Sequence, residues 1–181
     1  EERGAIYTKR EVVDFILDLV GYEADKPLTR YRILEPSFGD GDFIYPIVDR
    51  LLAAAQREPG GMTVKRLKPA LRAVELHRAT YMKHQENLAE KLQGVGLSSS
   101  EAEDVVTAWL IQGDFLLCDF DHDFTHVVGN PPYIRQEVIP DILMTEYRLR
   151  YETIFDRADI YIPFIEKSLS ALEQGGRLSF I

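Results

Sequence analysis

The stretch "ILEPSFGDGDF", Ile33 to Phe43, decides how the rest of the chain is read. Arg32 to Glu35 is a short run of strand length with apolar Ile33 and Leu34 at its centre. Ile47, Val48, Leu51 and Leu52 then follow at helical spacing. Gly39 and Gly41 lie between them, where a tight turn and close backbone approach to a ligand favour residues without a Cβ. Pro46 falls in the first turn of the predicted helix, where its missing N–H costs little.

The same alternation extends in both directions. Upstream, Thr8 and Glu11 have the spacing of a capping box, and Val12, Val13, Ile16, Leu17 and Val20 fall on one helical face that stops at Gly21. Downstream, "LRAVEL" (71–76) predicts a second strand, and a helix runs from about Ala79 to Leu92 and ends at Gly94. "SSSEAED" caps a short helical turn, and Val106 to Ile111 predicts a third strand. A fourth strand ends at Gly129. The polar segment 134–158 has helical spacing in part. A helix from about Ile160 to Leu172 stops at "QGG", and "RLSFI" predicts a fifth strand. Alternation of this kind predicts a doubly wound, mostly parallel α/β sheet, with right-handed crossovers and helices on both faces. One domain spans residues 1–181, with no internal repeat.

Composition bounds the function. The chain has 181 residues, 45% hydrophobic and 28% charged, which suits one domain with a sizeable core. No apolar run approaches a membrane span, and "EERGAIYTKR" lacks the apolar centre of a signal peptide. One cysteine, Cys118, excludes an internal disulfide framework and fits a reducing, cytoplasmic setting. The net charge of −9 requires any contact with nucleic acid to use a local positive surface or one outside this chain. A first residue other than methionine leads us to expect that the sequence starts inside a longer protein.

In a doubly wound sheet, ligands bind at the carboxyl ends of the strands, and each notable motif falls at such an end. The turn after strand one is acidic, with Glu35, Asp40 and Asp42 around Pro36, Gly39 and Gly41. A phosphate cradle would carry the opposite sign, whereas a ligand with ammonium and sulfonium charges suits it. Glu75, ending strand two, can accept hydrogen bonds from ribose hydroxyls or be a solvated terminal carboxylate. Asp114 can accept from an adenine amino group with Phe115 packed on the ring, or the pair can be a turn aspartate and a core phenylalanine.

"VVGNPPYIRQ" (127–136) carries the sharpest signal. Asn130 offers a side-chain carbonyl, and Pro131, which has no N–H, offers a backbone carbonyl at a stiff position that Pro132 prolongs. Two such acceptors can hold both hydrogens of a planar amino group and draw the nitrogen lone pair out of conjugation. Tyr133 supplies a face for a base to stack on.

These residues resemble the class I S-adenosylmethionine-dependent DNA adenine-N6 methyltransferases, in the arrangement of the Eco57I-like type IIG restriction–modification and phage-defence methylases. "IYTKREVVDFILDL" is similar to that family's N-terminal motif, whose threonine, here Thr8, helps hold the cofactor carboxylate. "ILEPSFGDGDF", "AVEL" and "GDFL" are similar to its cofactor motifs, "GNPPY" to its catalytic motif, and "ADIYIPFIEKSLSALEQGGRLSFI" to the helix and strand after it. The resemblance implies S-adenosyl-L-methionine as cofactor, no metal, and flipped adenine in double-stranded DNA as substrate. It also implies a target-recognition domain and two further strands outside this chain. The span from Gly39 to Glu75 is longer than the compact dinucleotide spacing, and no nuclease motif is visible.

Other readings compete. Glutamine N5-methyltransferases of release factors also carry NPPY, with a first motif closer to D-x-G-x-G-x-G. A non-catalytic cofactor-binding or specificity module would keep the fold without the chemistry. A nicotinamide oxidoreductase leaves NPPY unexplained. "CDFDHDFTH" (118–126) groups acids, histidines and the cysteine, without a ligand spacing that defines a metal site. "YRLRYETIFDR" (147–157) is a DNA-contact candidate or a solvated amphipathic helix, and His77 and His84 read as structural.

Overall fold

The protein is represented by a computed structural model that describes residues 8–121, 123–154 and 159–181. Part of the acidic stretch (His122) and part of "YRLRYETIFDR" (155–157) therefore lie outside the described residues. In chain order the elements are α1 (Arg10–Leu19), β1 (Ile33–Glu35), α2 (Ile44–Arg57), α3 (Val64–Leu67), β2 (Leu71–Glu75), α4 (Arg78–Gly94), α5 (Ser99–Trp109) and β3 (Leu110–Gln112). Then come β4 (Phe124–Gly129), α6 (Asp141–Arg150), α7 (Tyr161–Ser170) and β5 (Leu172–Phe180).

The five strands form one sheet in the order β3-β2-β1-β4-β5, and every pairing is parallel. The chain leaves β1 toward β2 and β3 on one side, then returns to β4 and continues to β5 on the other. The order reverses between β1 and β4, which makes the carboxyl ends of those two strands the topological switch point.

Successive strand residues point to opposite faces. Ile33, Ala73 and Val128 enter one core with α1, α2, α4 and α5. Leu34, Val74 and Val127 enter a second core with Phe115, Phe124 and residues of α6 and α7. Trp109 is fully buried in the first, and its indole N–H donates to the Leu67 carbonyl at 2.7 Å. Fully burying each such aliphatic side chain contributes about 1.5–3 kcal/mol, so covering both faces is what holds the sheet together.

Local chemistry departs from the expected boundaries at three places. The capping box at Thr8 does not form: Lys9 is the N-cap of α1 and makes no side-chain cap bond. Thr8 is engaged across the fold instead, its N–H donating to Asp42 Oδ2 at 2.7 Å. A capping box does form at Ser98 and Glu101, and it opens an eleven-residue helix rather than a short turn. That helix takes Val106 to Trp109 from the predicted third strand, because Ala102, Val105, Val106 and Trp109 bury one helical face. Finally, "QGG" does not end a helix. It lies inside the nine-residue β5, where pairing jumps from Phe124↔Leu172 to His126↔Arg177 and leaves a bulge.

Candidate active site

The carboxyl ends of β1, β2, β3 and β4 bring the predicted site residues to one edge of the sheet. Register pairs Glu75 with Gln112 and Leu34 with Val127, so the loops that follow leave the sheet side by side. The glycine turn is tied down from below. Phe38 N–H donates to the Val74 carbonyl at 3.1 Å, and Gly39 N–H to Glu75 Oε2 at 3.0 Å. Glu75 Oε1 accepts from His77 N–H at 2.7 Å, and the residue is 4% exposed. Glu75 is thus not a solvated carboxylate: it is buried and spans two loops, with lone pairs to spare on each oxygen.

Glu35 is 1% exposed, and its Oε2 has no hydrogen-bond partner among the described residues. Burial, then the charges of Asp42 and Glu75, push its carboxyl well above the usual carboxylate range. Three acids therefore converge beneath the turn, one of them disfavoured in its charged form. A bound cation would reverse that penalty. Pro36 is buried beside Glu35. An open cavity of about 260 Å³ adjoins the turn, lined in part by Thr8, Asp40, Gly41, Asp42 and Tyr45.

A pH dependence of stability follows. Between the ordinary glutamate value of 4.5 and its own raised value, the folded state keeps a proton that the unfolded chain has released. The ligand-free protein should lose stability as pH rises through that window, by up to about 1.4 kcal/mol for each pH unit the window spans. Glu35→Gln should flatten that decline in urea unfolding measured from pH 4.5 to 8. An unchanged slope would show that Glu35 is ionised in the folded protein.

The strand-four motif sits across the switch point from the turn. Asn130 Nδ2 donates to Thr8 Oγ1 at 3.2 Å, which turns the amide nitrogen toward Thr8 and the amide oxygen away from it. Pro131 is buried and Pro132 half-buried. Tyr133 is 46% exposed, its hydroxyl donating to the Ile181 carbonyl at 2.6 Å and its ring 6.1 Å from that of Tyr161. One ring thus remains available for stacking beside a fixed amide.

The strand-three motif is arranged differently. Asp114 Oδ1 accepts from Leu116 N–H at 2.9 Å, and Oδ2 accepts from the Tyr147 hydroxyl. Phe115 is 2% exposed, its ring centroid 4.8 Å from that of Phe164 and Lys167 Nζ 5.1 Å above it. Asp114 thus caps the turn and Phe115 packs in the core, while each Asp114 oxygen keeps a lone pair for a further donor. Behind the glycine turn, Tyr45 and buried His84 share a hydrogen bond of 2.7 Å, and Phe38 packs edge-on against the imidazole at 5.6 Å. The sequence carried no sign of the Tyr45–His84 or Tyr147–Asp114 pairings, because each joins elements far apart in the chain.

Comparison with known proteins gives the chain's family. The family model described as "Eco57I restriction-modification methylase" matches residues 53–181. The chain belongs to that family. It is 55% identical over 182 residues to the type II methyltransferase M.PaeR7I of Pseudomonas aeruginosa, covering 100% of this chain and 32% of the relative. It is 46% identical over 183 residues to the type II methyltransferase M.XhoI of Xanthomonas vasicola, covering 100% and 34%. The chain therefore spans about a third of the length of the curated relatives it matches. The M protein of the type I restriction enzyme EcoKI shares the fold, with a TM-score of 0.67 at 16% identity over 98% of this chain and 34% of that one. Among the described residues, no cluster of three or more His, Cys, Asp and Glu side chains could hold a metal ion, and no helix is long and apolar enough to cross a membrane.

Proposed function

We propose that this methylase-family chain is the cofactor- and base-binding part of an enzyme that methylates the N6 amino group of adenine in DNA, within a restriction–modification or phage-defence system. The observation that carries the reading is the switch-point crevice. A buried acid with an unpartnered oxygen lies on one side of it, and Asn130-Pro131-Pro132-Tyr133 on the other. The orphaned Glu35 oxygen and the open space over Gly39 fit a positively charged ligand with an extended body. S-adenosyl-L-methionine, bound there, would supply an electrophilic methyl group.

The chain's own residues then divide the work. Glu35 and Asp42 offset the ligand's positive charge, while Thr8 and the Gly39–Gly41 backbone line its seat. Glu75 uses its remaining lone pairs on ribose hydroxyls, and Asp114 accepts from the purine amino group. On the substrate side, the base leaves the DNA stack to reach the site. The Asn130 oxygen and the Pro131 carbonyl accept its two amino hydrogens, which concentrates the lone pair on nitrogen. Tyr133 stacks on the ring, and fixed positioning lowers the entropy cost of the encounter. With a charge of −9 on this chain, the grip on double-stranded DNA belongs mainly to the remainder of the protein.

The test is methyl transfer by the full-length protein from labelled S-adenosyl-L-methionine to DNA, followed by hydrolysis to nucleosides. Label in N6-methyldeoxyadenosine is expected. Label in a methylated cytosine would overturn the adenine assignment, and label in protein glutamine would favour the release-factor type of chemistry.

A further inference from the structure

The segment after the catalytic motif is tied to the end of β3 by two tyrosines one helical turn apart. Tyr147 donates to Asp114 Oδ2, and Tyr151 at the end of α6 donates to the Leu116 carbonyl at 2.5 Å. Both hydroxyls thus land on the same three-residue turn. Tyr147 is 5% exposed, in the core with Met144, Ile154 and Phe164. Burial, then the bond to Asp114 and its charge, push its phenol far above the usual range, so it stays a donor at any working pH. The Asp114 carboxylate is held at both oxygens, by Leu116 N–H on one and Tyr147 on the other.

The geometry points to Tyr147 as a positioning residue that sets cofactor specificity, by fixing the Asp114 carboxylate as a pure acceptor facing the 6-position of the cofactor's purine. This rests on the assignment of Asp114 to that purine. A carboxylate pinned at both oxygens cannot rotate to accommodate a different group, and with donors already on it, it offers only lone pairs. A 6-amino group satisfies it and a 6-oxo group does not, and sites built for one hydrogen-bonding pattern reject the analogue that lacks it. Tyr151 makes a bond of the same kind to a backbone carbonyl and leaves Asp114 untouched.

The experiment measures binding of S-adenosylhomocysteine and of S-inosylhomocysteine, its 6-oxo counterpart, to full-length wild type, Tyr147→Phe and Tyr151→Phe by calorimetry. The wild type should prefer the amino compound. Tyr147→Phe should lose at least about tenfold of that preference, mainly by weaker binding of the amino compound. Tyr151→Phe should keep it, with a similar loss of thermal stability. If Tyr147→Phe keeps the wild-type preference, the positioning role is overturned while the Asp114 assignment stands. If both variants lose it equally, the effect is general docking of α6 and the proposal fails. A wild type with no preference would overturn the Asp114 assignment and this inference with it.

Discussion

Replacing Asn130 with alanine in the full-length protein should lower methyl transfer to DNA by about a hundredfold to a thousandfold, with cofactor affinity changed no more than a few-fold. The magnitude is that of removing one preorganised partner from a group whose charge develops during reaction. The asymmetry between the two readouts comes from the structure. Asn130 leaves the end of β4, and its amide nitrogen donates to Thr8 Oγ1 at 3.2 Å on the cofactor side. Thr8 keeps its second anchor when Asn130 is truncated, because its backbone N–H donates to Asp42 Oδ2. The glycine turn keeps Glu75 and the Val74 carbonyl. Stability should fall by about 1 kcal/mol for the lost bond. Equilibrium binding of S-adenosyl-L-methionine and single-turnover methylation, on the same preparations, separate the effects. Near wild-type methylation by Asn130→Ala would remove Asn130 from the chemistry. A parallel collapse of cofactor binding would make it part of the cofactor seat.

How far the sequence alone could lead is clearest at particular residues. The alternation of strands and helices along the chain and the convergence of four loops were legible because hydrophobic periodicity and glycine punctuation are local signals. Boundaries failed where two local signals overlapped. Val106 to Ile111 is apolar enough for a strand, but the 102, 105, 106, 109 spacing belongs to a helix with its own capping box, and the helix buries more. At "QGG" the glycines serve a bulge, because β5 must shift register to follow β4. Thr8 and Glu11 have capping-box spacing, yet Thr8 is drawn into contacts with Asp42 and Asn130, and no local pattern encodes contacts across 34 and 122 positions. The same blindness hid the burial of Glu35. In sequence it is one acid among three, and only the packed sheet shows which of them is deprived of water.

The two glycines of the first motif should respond in opposite ways to the same change, Gly41 through folding and Gly39 through binding. Both have positive φ, +46° at Gly39 and +96° at Gly41, so a Cβ strains either backbone by about 1–3 kcal/mol. The surroundings then separate them. A Cβ at Gly41 would lie 2.6 Å from Tyr45 Cε2 and 2.9 Å from His84 Cε1. Neither ring can yield easily, since the two are hydrogen-bonded to each other at 2.7 Å and His84 is 1% exposed and wedged against Phe38. Overpacking of this kind adds about 1–3 kcal/mol, so Gly41→Ala should cost about 2–6 kcal/mol in all. That is a large share of the stability of an ordinary domain. A Cβ at Gly39 meets no heavy atom within 4 Å, so Gly39→Ala carries the backbone strain alone. The open space over Gly39 is where the cofactor is proposed to lie, and a methyl group there would meet the ligand instead of the protein. Urea unfolding without ligand should rank Gly41→Ala well below Gly39→Ala. Calorimetry with S-adenosyl-L-methionine should show Gly39→Ala, although folded, binding at least about tenfold more weakly than wild type, the equivalent of about 1.4 kcal/mol. Wild-type affinity in Gly39→Ala would move the cofactor off this turn, and equal stability of the two variants would mean that the Tyr45–His84 pair gives way.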